Sequence, residues 1–235
     1  MITFTFRGKN SAEYGVYLEN RAPEIVAERQ MEFTEVPGRD GAIAQDFGGH
    51  KDATVELNAY QVGDDQYRAA RAWLQGSGDM VFSTDTAHAY AVTIAGEIEY
   101  RKLTRNSKVR TMQIPMRFAP YAKRLPEAEA FAVDSGGTIT NPGTAFSLPK
   151  IKITGTGDAS IMIGDQQIEI DGLEAGAPII IDSQLMECMD GDESELKNGM
   201  VSMDEFPRLE PGANAVSWTG EITEFKVEKP RWRDI

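Results

Sequence analysis

Few side chains in this sequence belong to the types that most often do chemistry. The 235 residues include two histidines, His50 and His88, and one cysteine, Cys188. A zinc site takes three or four ligands at short spacings, and neither histidine has a second ligand at such a spacing. Cys188 has no histidine beside it in sequence to activate it, so we interpret it as a small buried side chain. The sequence predicts no metal site and no catalytic cysteine.

Two short motifs are similar to ligand-binding loops but lack residues that those loops require. Gly155-Thr156-Gly157 precedes a predicted strand, whereas a dinucleotide-binding loop opens a helix. Asp190-Gly191-Asp192-Glu193-Ser194 has Glu195 where a calcium loop needs its turn glycine, and Val201 where the bidentate glutamate belongs. Carboxylates are abundant, but abundance alone identifies no acid–base pair. We therefore predict no cofactor and no enzyme activity.

The first half of the chain is predicted to be β-rich with one helix. Residues 53–60 place Val55, Leu57 and Ala59 on one face, which indicates a half-buried strand. The other predicted strands are residues 1–6, 14–18, 31–36, 42–47, 80–83, 90–100 and 109–118. Residues 64–75 predict the helix, with Asp64 or Asp65 as its cap and Trp73 as its core anchor. Pro115 cannot donate to a ladder and predicts an edge or a bulge.

A change of pattern divides the chain near residues 125–137, where Pro126 and Ser135-Gly136-Gly137 indicate a linker. Beyond it there is no helical period. Short isoleucine-rich strands with glycine turns recur at a spacing of about ten residues, which is typical of a β-sandwich. We therefore predict a mainly β protein of two domains, residues 1–130 and 131–235.

The most strongly shaped turn of the chain is Val36-Pro37-Gly38-Arg39-Asp40-Gly41. Pro37 presets the backbone of a turn, and Gly38 and Gly41 can take a positive φ without steric cost. The flanking segments are both predicted strands. By itself the pattern predicts a tight polar loop between two strands.

Charge is unevenly distributed along the chain, whose net charge is −13. Residues 1–130 carry 16 basic and 18 acidic residues, whereas residues 131–235 carry 8 and 19. Residues 101–124, here called the basic strip, hold eight basic residues and no acidic one, and Arg101, Lys102 and Arg105 begin it. We expect the strip to find its partner in an acidic surface of an adjacent subunit.

The start of the chain and its apolar runs bear on location. The first seven residues alternate polar and apolar side chains and lack the features of a signal peptide. No apolar run is long enough to cross a bilayer. The lone cysteine excludes an intrachain disulfide and fits assembly in a reducing cytoplasm. We expect no membrane partner.

Four ordered motifs resemble the distal tail proteins (Dit) of long-tailed bacteriophages. The first is the turn at residues 36–41, about thirty residues after the start Phe6-Arg7-Gly8-Lys9-Asn10-Ser11. The second is Asn141-Pro142-Gly143 followed by Pro149-Lys150-Ile151-Lys152-Ile153-Thr154-Gly155. The third is Phe206-Pro207-Arg208-Leu209-Glu210-Pro211-Gly212-Ala213-Asn214, and the last is the basic ending Pro230-Arg231-Trp232-Arg233. The resemblance spans nearly the whole chain.

The resemblance implies a structural virion protein of the tail tip, assembled in the host cytoplasm. In that family the amino-terminal domain forms a hexameric ring that joins the tail tube to the tip, and a galectin-like or carbohydrate-module-like sandwich decorates its outside. It implies as partners other copies of the chain, the tail tube protein, a tail-tip protein and, as a further candidate, a receptor-binding protein. DNA is expected only as passing cargo. We expect Pro37, Gly38, Arg39, Asp40, Gly41, Arg101, Lys102 and Arg105 to serve assembly.

An alternative function is binding of host cell-surface glycans by a carbohydrate-binding module or adhesin. Trp218 or Trp232 would then be an exposed platform for a sugar ring. Against this, a tryptophan in a strand of a sandwich is more often part of the core.

Overall fold

The structure is a computed structural model that describes residues 1–24 and 26–235. It is mainly β, as predicted, and contains one α-helix, α1 (Tyr67–Trp73), among the described residues. Short 3-10 helices cover Ser11–Tyr14 and Asn198–Met200. Contacts divide the chain into two compact units, Met1–Leu125 and Pro126–Asp234. In the part of the chain described, no helix is long and apolar enough to span a membrane.

The strands of the first unit are β1 (Phe4–Phe6), β2 (Lys9–Asn10), β3 (Val16–Leu18), β4 (Arg29–Glu35), β5 (Ala42–His50), β6 (Ala53–Val62), β7 (Gly76–Phe82), β8 (Asp85–Ile94), β9 (Tyr100–Lys102) and β10 (Val109–Arg124). The main sheet has the order β2-β1-β7-β8-β10-β6-β3, and β9 also pairs with β10. β4 and β5 form a separate two-stranded sheet. The segment predicted as one strand over residues 90–100 is therefore two, β8 and β9.

Alternation along β6 and β10 builds the core of this unit. Leu57 and Ala59 lie opposite Ile114 and Met112, and all four side chains are buried. The intervening residues face solvent, as the period of two requires. The strands pair antiparallel over their whole shared length, so this register fixes which face is apolar.

Helix α1 is shorter than predicted, and its start differs. Gln66 is the cap residue and no side chain caps the helix, so the prediction that Asp64 or Asp65 caps it is wrong. The Asp64 carboxylate instead accepts a hydrogen bond from Arg110. Trp73 is confirmed as the anchor: it is 8% exposed and stacks between Tyr14 and Phe4, with centroid distances of 4.5 and 5.6 Å.

Pro115 lies inside β10, at a local interruption of pairing. On one side it faces Glu56 of β6. On the other side β9 pairs with residues up to Met112, and β8 pairs from Arg117 onward. The proline therefore occupies the gap between two neighbouring strands, where no ladder hydrogen bond is needed from it. The register shift itself comes later, between Phe118 and Ala122.

The strands of the second unit are β11 (Phe131–Ala132), β12 (Thr138–Asn141), β13 (Lys150–Ile163), β14 (Gln166–Leu173), β15 (Ile179–Asp182), β16 (Glu187–Asp190), β17 (Val201–Met203), β18 (Gly212–Lys229) and β19 (Arg233–Asp234). Eight of them form a sheet of order β11-β18-β13-β14-β17, with β12 on β18 and β15 between β13 and β16. Register shifts in the long β13–β18 pair let the sheet curl around a core rich in isoleucine. The closer likeness to a galectin-type sandwich stays a prediction.

One buried ion pair belongs to the second unit. Asp182, 2% exposed, accepts two hydrogen bonds from the Arg231 guanidinium at 2.7 and 2.8 Å. It also accepts the N–H groups of Gln184 and Leu185. Burial by itself raises the pKa of Asp182, but the bonds from Arg231 and the backbone outweigh it and the net direction is downward.

That the two units are separately folded domains is a prediction that limited proteolysis tests. Pro126, Glu127, Glu129 and Ala130 are exposed, whereas β11 begins at Phe131 and pairs with β18. We expect brief digestion with a glutamate-specific protease to cut first after Glu127 or Glu129 and to leave two resistant fragments. First cuts inside the strands of the two main sheets, with residues 126–130 intact, would contradict the division.

Candidate functional site

The turn at residues 36–41 connects β4 to β5, as predicted. The Arg39 N–H donates to the Val36 carbonyl at 3.1 Å, which closes the turn. Gly38 and Gly41 have φ of +82° and +77°, in the left-handed region. All six residues of the turn are exposed. The loop therefore forms the tip of a hairpin, and we call β4, this loop and β5 (residues 29–50) the hairpin arm.

The hairpin arm exposes large apolar side chains on both of its faces. Phe33 is 66% exposed and lies opposite Ala44, whereas Ile43, 43% exposed, lies opposite Thr34 on the other face. Phe47 is 52% exposed. A lone two-stranded hairpin is at best marginally stable in water, and clustered exposed apolar side chains mark interaction sites. The exposed apolar side chains of the arm are typical of a surface that a binding partner covers.

The base of the arm is tied to the first unit by polar contacts. The His50 Nδ1 lies 3.1 Å from the Tyr121 hydroxyl of β10. Across the arm itself, Arg29 and Asp46 form an ion pair at 2.9 Å. Lys51 bonds Glu28 at 3.1 Å beside the base. These contacts orient the arm while leaving its outer part free of the core.

Substitution of the turn glycines should act through the backbone alone. A Cβ at Gly38 or Gly41 would meet no atom within 4 Å, so space is not limiting. Positive φ disfavours a β-branched side chain, and we expect Gly38→Val or Gly41→Val to destabilise the hairpin by about 1 kcal/mol or more. Thermal unfolding should change little because the arm lies outside the core, while the association of copies expected from the resemblance should weaken. Gly199→Val, at an exposed glycine with negative φ, is the control. Full assembly of both turn variants would refute the assigned loop shape.

The basic strip is largely neutralised within the chain, so the expectation that it has no acid partner of its own is wrong. The Arg101 guanidinium donates two hydrogen bonds to Glu99, at 2.9 and 2.8 Å. This bond holds the pKa of Glu99 below its usual range. Further pairs join Lys102 to Asp64, Arg117 to Asp52 and Lys123 to Asp79, at 3.6, 2.7 and 2.8 Å. The partners come from other strands and loops.

Arg110 has a structural role inside the first unit. Its guanidinium is buried and contacts the Asp64 carboxylate, the Gln61 amide oxygen and the Tyr67 ring, whose centroid lies 4.2 Å away. Its hydrogen bond to Asp64 is the main cause that holds the pKa of that carboxyl below its usual range. Through these contacts Arg110 takes part in packing α1 against the main sheet of the first unit.

A segment of the strip remains without acidic partners. Arg105 and Lys108 are exposed, and neither makes an ion pair among the described residues. Leu103 between β9 and β10 is 63% exposed. The turn is shaped by the Ser107 N–H, which donates to the Thr104 carbonyl at 3.0 Å. We call residues 103–108 the basic loop.

Trp218 and Trp232 are both half-buried and pack against the core of the second unit. Trp218 stacks on Phe225 with a centroid distance of 5.8 Å and an interplanar angle of 15°. One ring face of Trp218 is thereby occupied by a side chain of the protein. Their role as a glycan platform stays a prediction.

The cysteine, histidine and acidic side chains that could do chemistry each have surroundings or contacts that give them a structural role. Burial raises the pKa of the Cys188 thiol to about 11, so it stays protonated and unreactive at neutral pH. His88 lies 3.0 Å from the Asp85 carboxylate, which also accepts from the Tyr90 hydroxyl. The Asp190 carboxylate accepts the N–H groups of Ser194 and Glu195 and so shapes its own loop. No His, Cys, Asp or Glu cluster among the described residues could hold a metal ion.

An open depression of about 350 Å³ lies on the first unit and is lined by Glu19, Asn58, Glu99, Arg101, Thr111, Met112 and Gln113. Its polar groups largely bond one another. Besides the Arg101–Glu99 pair, the Gln113 amide donates to Asn58 at 3.3 Å and the Thr111 hydroxyl donates to the Arg101 carbonyl. We assign it no reaction.

Comparison with known proteins identifies the fold. No protein-family model and no curated protein matches the sequence. Among solved structures, the Dit protein (gp 19.1) of phage SPP1 matches with a TM-score of 0.77 and 12% identity, over 97% of this chain and 99% of that one. It is described as a paradigm of the hub adsorption apparatus in phages that infect Gram-positive bacteria. A chain of the phage P2 baseplate in its activated conformation matches with a TM-score of 0.50 and 8% identity, over 97% of both chains.

The chain therefore has a Dit-like fold along nearly its whole length. The resemblance inferred from the four motifs is confirmed at this level. At 12% identity the likeness establishes the fold and not the role, because one fold hosts many functions.

Proposed function

We propose that this chain is a structural protein of a phage tail tip, where copies of it form a hexameric ring between the tail tube and the adsorption apparatus. The Dit-like fold supports the class of protein. The observation that carries the assembly is the hairpin arm, with Phe33 and Phe47 exposed to 66% and 52%. The arm serves as a contact to the adjacent subunit, covered in the ring and open in the free chain.

A heterologous contact of this kind generates a ring when the rotation between neighbours closes. Each subunit would give its arm to one neighbour and receive the arm of the other. The partners of such a ring are the tail tube protein on one side and a tail-tip protein on the other, with a receptor-binding protein as a further candidate at its outside. DNA passes through the channel without being bound. The proposed location is the virion, after assembly in the host cytoplasm.

Molar mass and particle shape test the proposal. We expect light scattering to give a species of six times the 25.9 kDa subunit mass, and negative-stain microscopy to show rings. The variant Phe33→Ser with Phe47→Ser should stay monomeric, because it removes the two most exposed apolar side chains of the arm. Val62→Ser, at an apolar residue 40% exposed outside the arm, is the control and should still assemble.

Two results would count against this proposal. A parent protein that stays at the mass of one subunit over a wide concentration range would overturn ring formation. Assembly of the Phe33/Phe47 variant equal to that of the parent would remove the arm from the contact. A monomer that is retained by polysaccharide in a pull-down would favour the glycan-binding alternative.

A further inference from the structure

The turn between β15 and β16 carries apolar side chains where turns normally carry polar ones. It consists of Ser183, Gln184, Leu185 and Met186, and Leu185 and Met186 are 58% and 67% exposed. Gly, Asn, Asp, Ser and Pro are the usual residues of such turns. We call these four residues the apolar tip. Two large exposed side chains at the end of a hairpin are an unexplained feature of the second unit.

The apolar tip is held in one shape. Met186 has a φ of +57°, a conformation that non-glycine residues rarely take and that persists only where the surroundings fix it. Asp182 at the base of the turn accepts the N–H groups of Gln184 and Leu185, at 3.0 and 3.2 Å. The Arg231 guanidinium holds the Asp182 carboxylate in place by donating two hydrogen bonds to it. A preorganised apolar projection loses little conformational entropy when a partner covers it.

The surroundings of the apolar tip are acidic. Residues 182–196 contain six carboxylates and no lysine or arginine. Asp182, Glu193 and Glu195 pair with Arg231, Lys150 and Lys197. Glu187 and Asp192 make no ion pair with any basic residue that the structure describes. A partner for this surface should offer an apolar side chain beside positive charge.

The basic loop of the first unit has that chemistry. Leu103 is 63% exposed there, and Arg105 and Lys108 stand beside it without an acidic partner in the described chain. The charges of the two surfaces are opposite, and each has an exposed leucine or methionine at its centre. The apolar tip and the basic loop match in charge and also in their exposed apolar side chains. This match is more specific than the overall charge difference between the two units.

We propose that the apolar tip of one copy docks on the basic loop of a neighbouring copy. The proposal rests on the proposed function, since it requires that copies associate. Leu185 and Met186 would contact Leu103, while Glu187 and Asp192 would face Arg105 and Lys108. The apolar side chains supply most of the affinity, and the charges orient the approach and make it depend on salt.

Cysteine cross-linking between two different variants tests the contact. Leu103→Cys and Met186→Cys are made separately, mixed and oxidised, so that a disulfide joining the two can form only between copies. The native thiol does not interfere, because Cys188 is 2% exposed and its pKa is raised to about 11. Leu103→Cys mixed with Glu224→Cys, an exposed position on β18 of the second unit, is the matched control. We expect at least tenfold more cross-linked dimer for the first mixture, since a disulfide needs the two Cα atoms within about 7 Å.

Charge exchange gives a second measurement that does not depend on new cysteines. Arg105→Glu with Lys108→Glu should lower the salt-dependent part of association several-fold. Adding Glu187→Lys with Asp192→Lys to that chain should restore it. All four residues lie outside both cores, so the variants should fold.

Parallel light scattering separates the two proposals. Rings with no cross-link above the control would overturn the tip-to-loop contact and leave the proposed function standing. Monomers in every mixture would overturn both. Failure of the fourfold charge exchange to restore association, with the parent assembled, would also count against the contact.

Discussion

Replacing Arg231 with methionine is expected to destabilise the second unit by about 3–5 kcal/mol, because it leaves a buried carboxylate without its charged partner. The Asp182 side chain is 3% exposed, and Arg231 is its partner at 2.7 Å. Methionine keeps much of the apolar stem of the arginine side chain, so the loss of stability comes chiefly from the missing charge and hydrogen bonds. Urea unfolding followed by circular dichroism measures it, and hydrogen exchange read by mass spectrometry assigns it to residues 126–234.

Lys229→Met is the matched control for this substitution. Lys229 is exposed on β18, close to Arg231 in sequence, and makes no ion pair among the described residues. We expect a change within about 0.5 kcal/mol there. Equal effects of the two methionine variants would show that the Asp182–Arg231 pair adds nothing to stability.

The pH dependence of the Arg231→Met effect follows from the lowered pKa of Asp182. A depressed carboxyl pKa contributes stability that is fully present above the unfolded value of about 3.9, and that is lost as pH falls through the folded pKa. The unfolded chains of parent and variant titrate alike, so the difference between them changes only between the folded-state pKa of Asp182 in the variant, which burial without Arg231 raises, and its lowered folded-state pKa in the parent. The difference should therefore be largest at neutral pH and shrink as pH falls. A difference that persists unchanged at pH 2 would contradict this assignment.

Trp73→Ala should be the most damaging core substitution in the first unit, at about 3–5 kcal/mol. The indole is sandwiched between Tyr14 and Phe4 and contacts Phe6 edge-on. Its Nε1–H donates to the Phe6 carbonyl at 3.2 Å, so removal also leaves a buried acceptor unpaired. Guanidinium unfolding of the variant gives the free energy.

Trp73→Phe separates packing from hydrogen bonding. It keeps an aromatic ring in the stack and loses the Nε1–H, so we expect a loss clearly smaller than for alanine. An alanine variant at position 73 that unfolds like the parent would remove Trp73 from its anchoring role.

Local pattern predicted the strands of the first unit well, because β6 and β10 alternate apolar and polar residues with a period of two. For the second unit it predicted short strands separated by glycine turns, which is wrong for β13 and β18, whose 14 and 18 residues continue through their glycines. The turn at residues 36–41 was equally accessible, since proline and glycine act on their own backbone. The helix was predicted too long because residues 64–66 were assigned to its capped start, whereas the helix begins at Tyr67 and ends at Trp73. Asp64 has the chemistry of a helix cap, but Arg110, 46 residues away, binds it instead.

The candidate assembly surfaces were only partly predictable, because their partners lie far apart in sequence. The Asp52–Arg117 pair spans 65 residues, so counting charges within residues 101–124 missed it. The apolar tip gave no signal either, since Leu185 and Met186 resemble ordinary core residues until burial is known. Whether a side chain is exposed depends on the tertiary structure. Alternation with a period of two identifies the buried face of a strand, but it does not predict the exposure of residues in a four-residue turn.

The separate sheet of β4 and β5 also bears on how the free chain avoids aggregation. Among the described strands each of the two pairs only with the other and keeps one open edge, and open edges invite pairing with any other extended chain. Glu32 and Glu35 on β4 and Asp46 on β5 place charge along these edges. Such charges discourage the flat, uncharged stacking that leads to fibres. If the arm contacts a neighbouring copy as proposed, it combines apolar residues for that contact with charges that disfavour pairing with other chains.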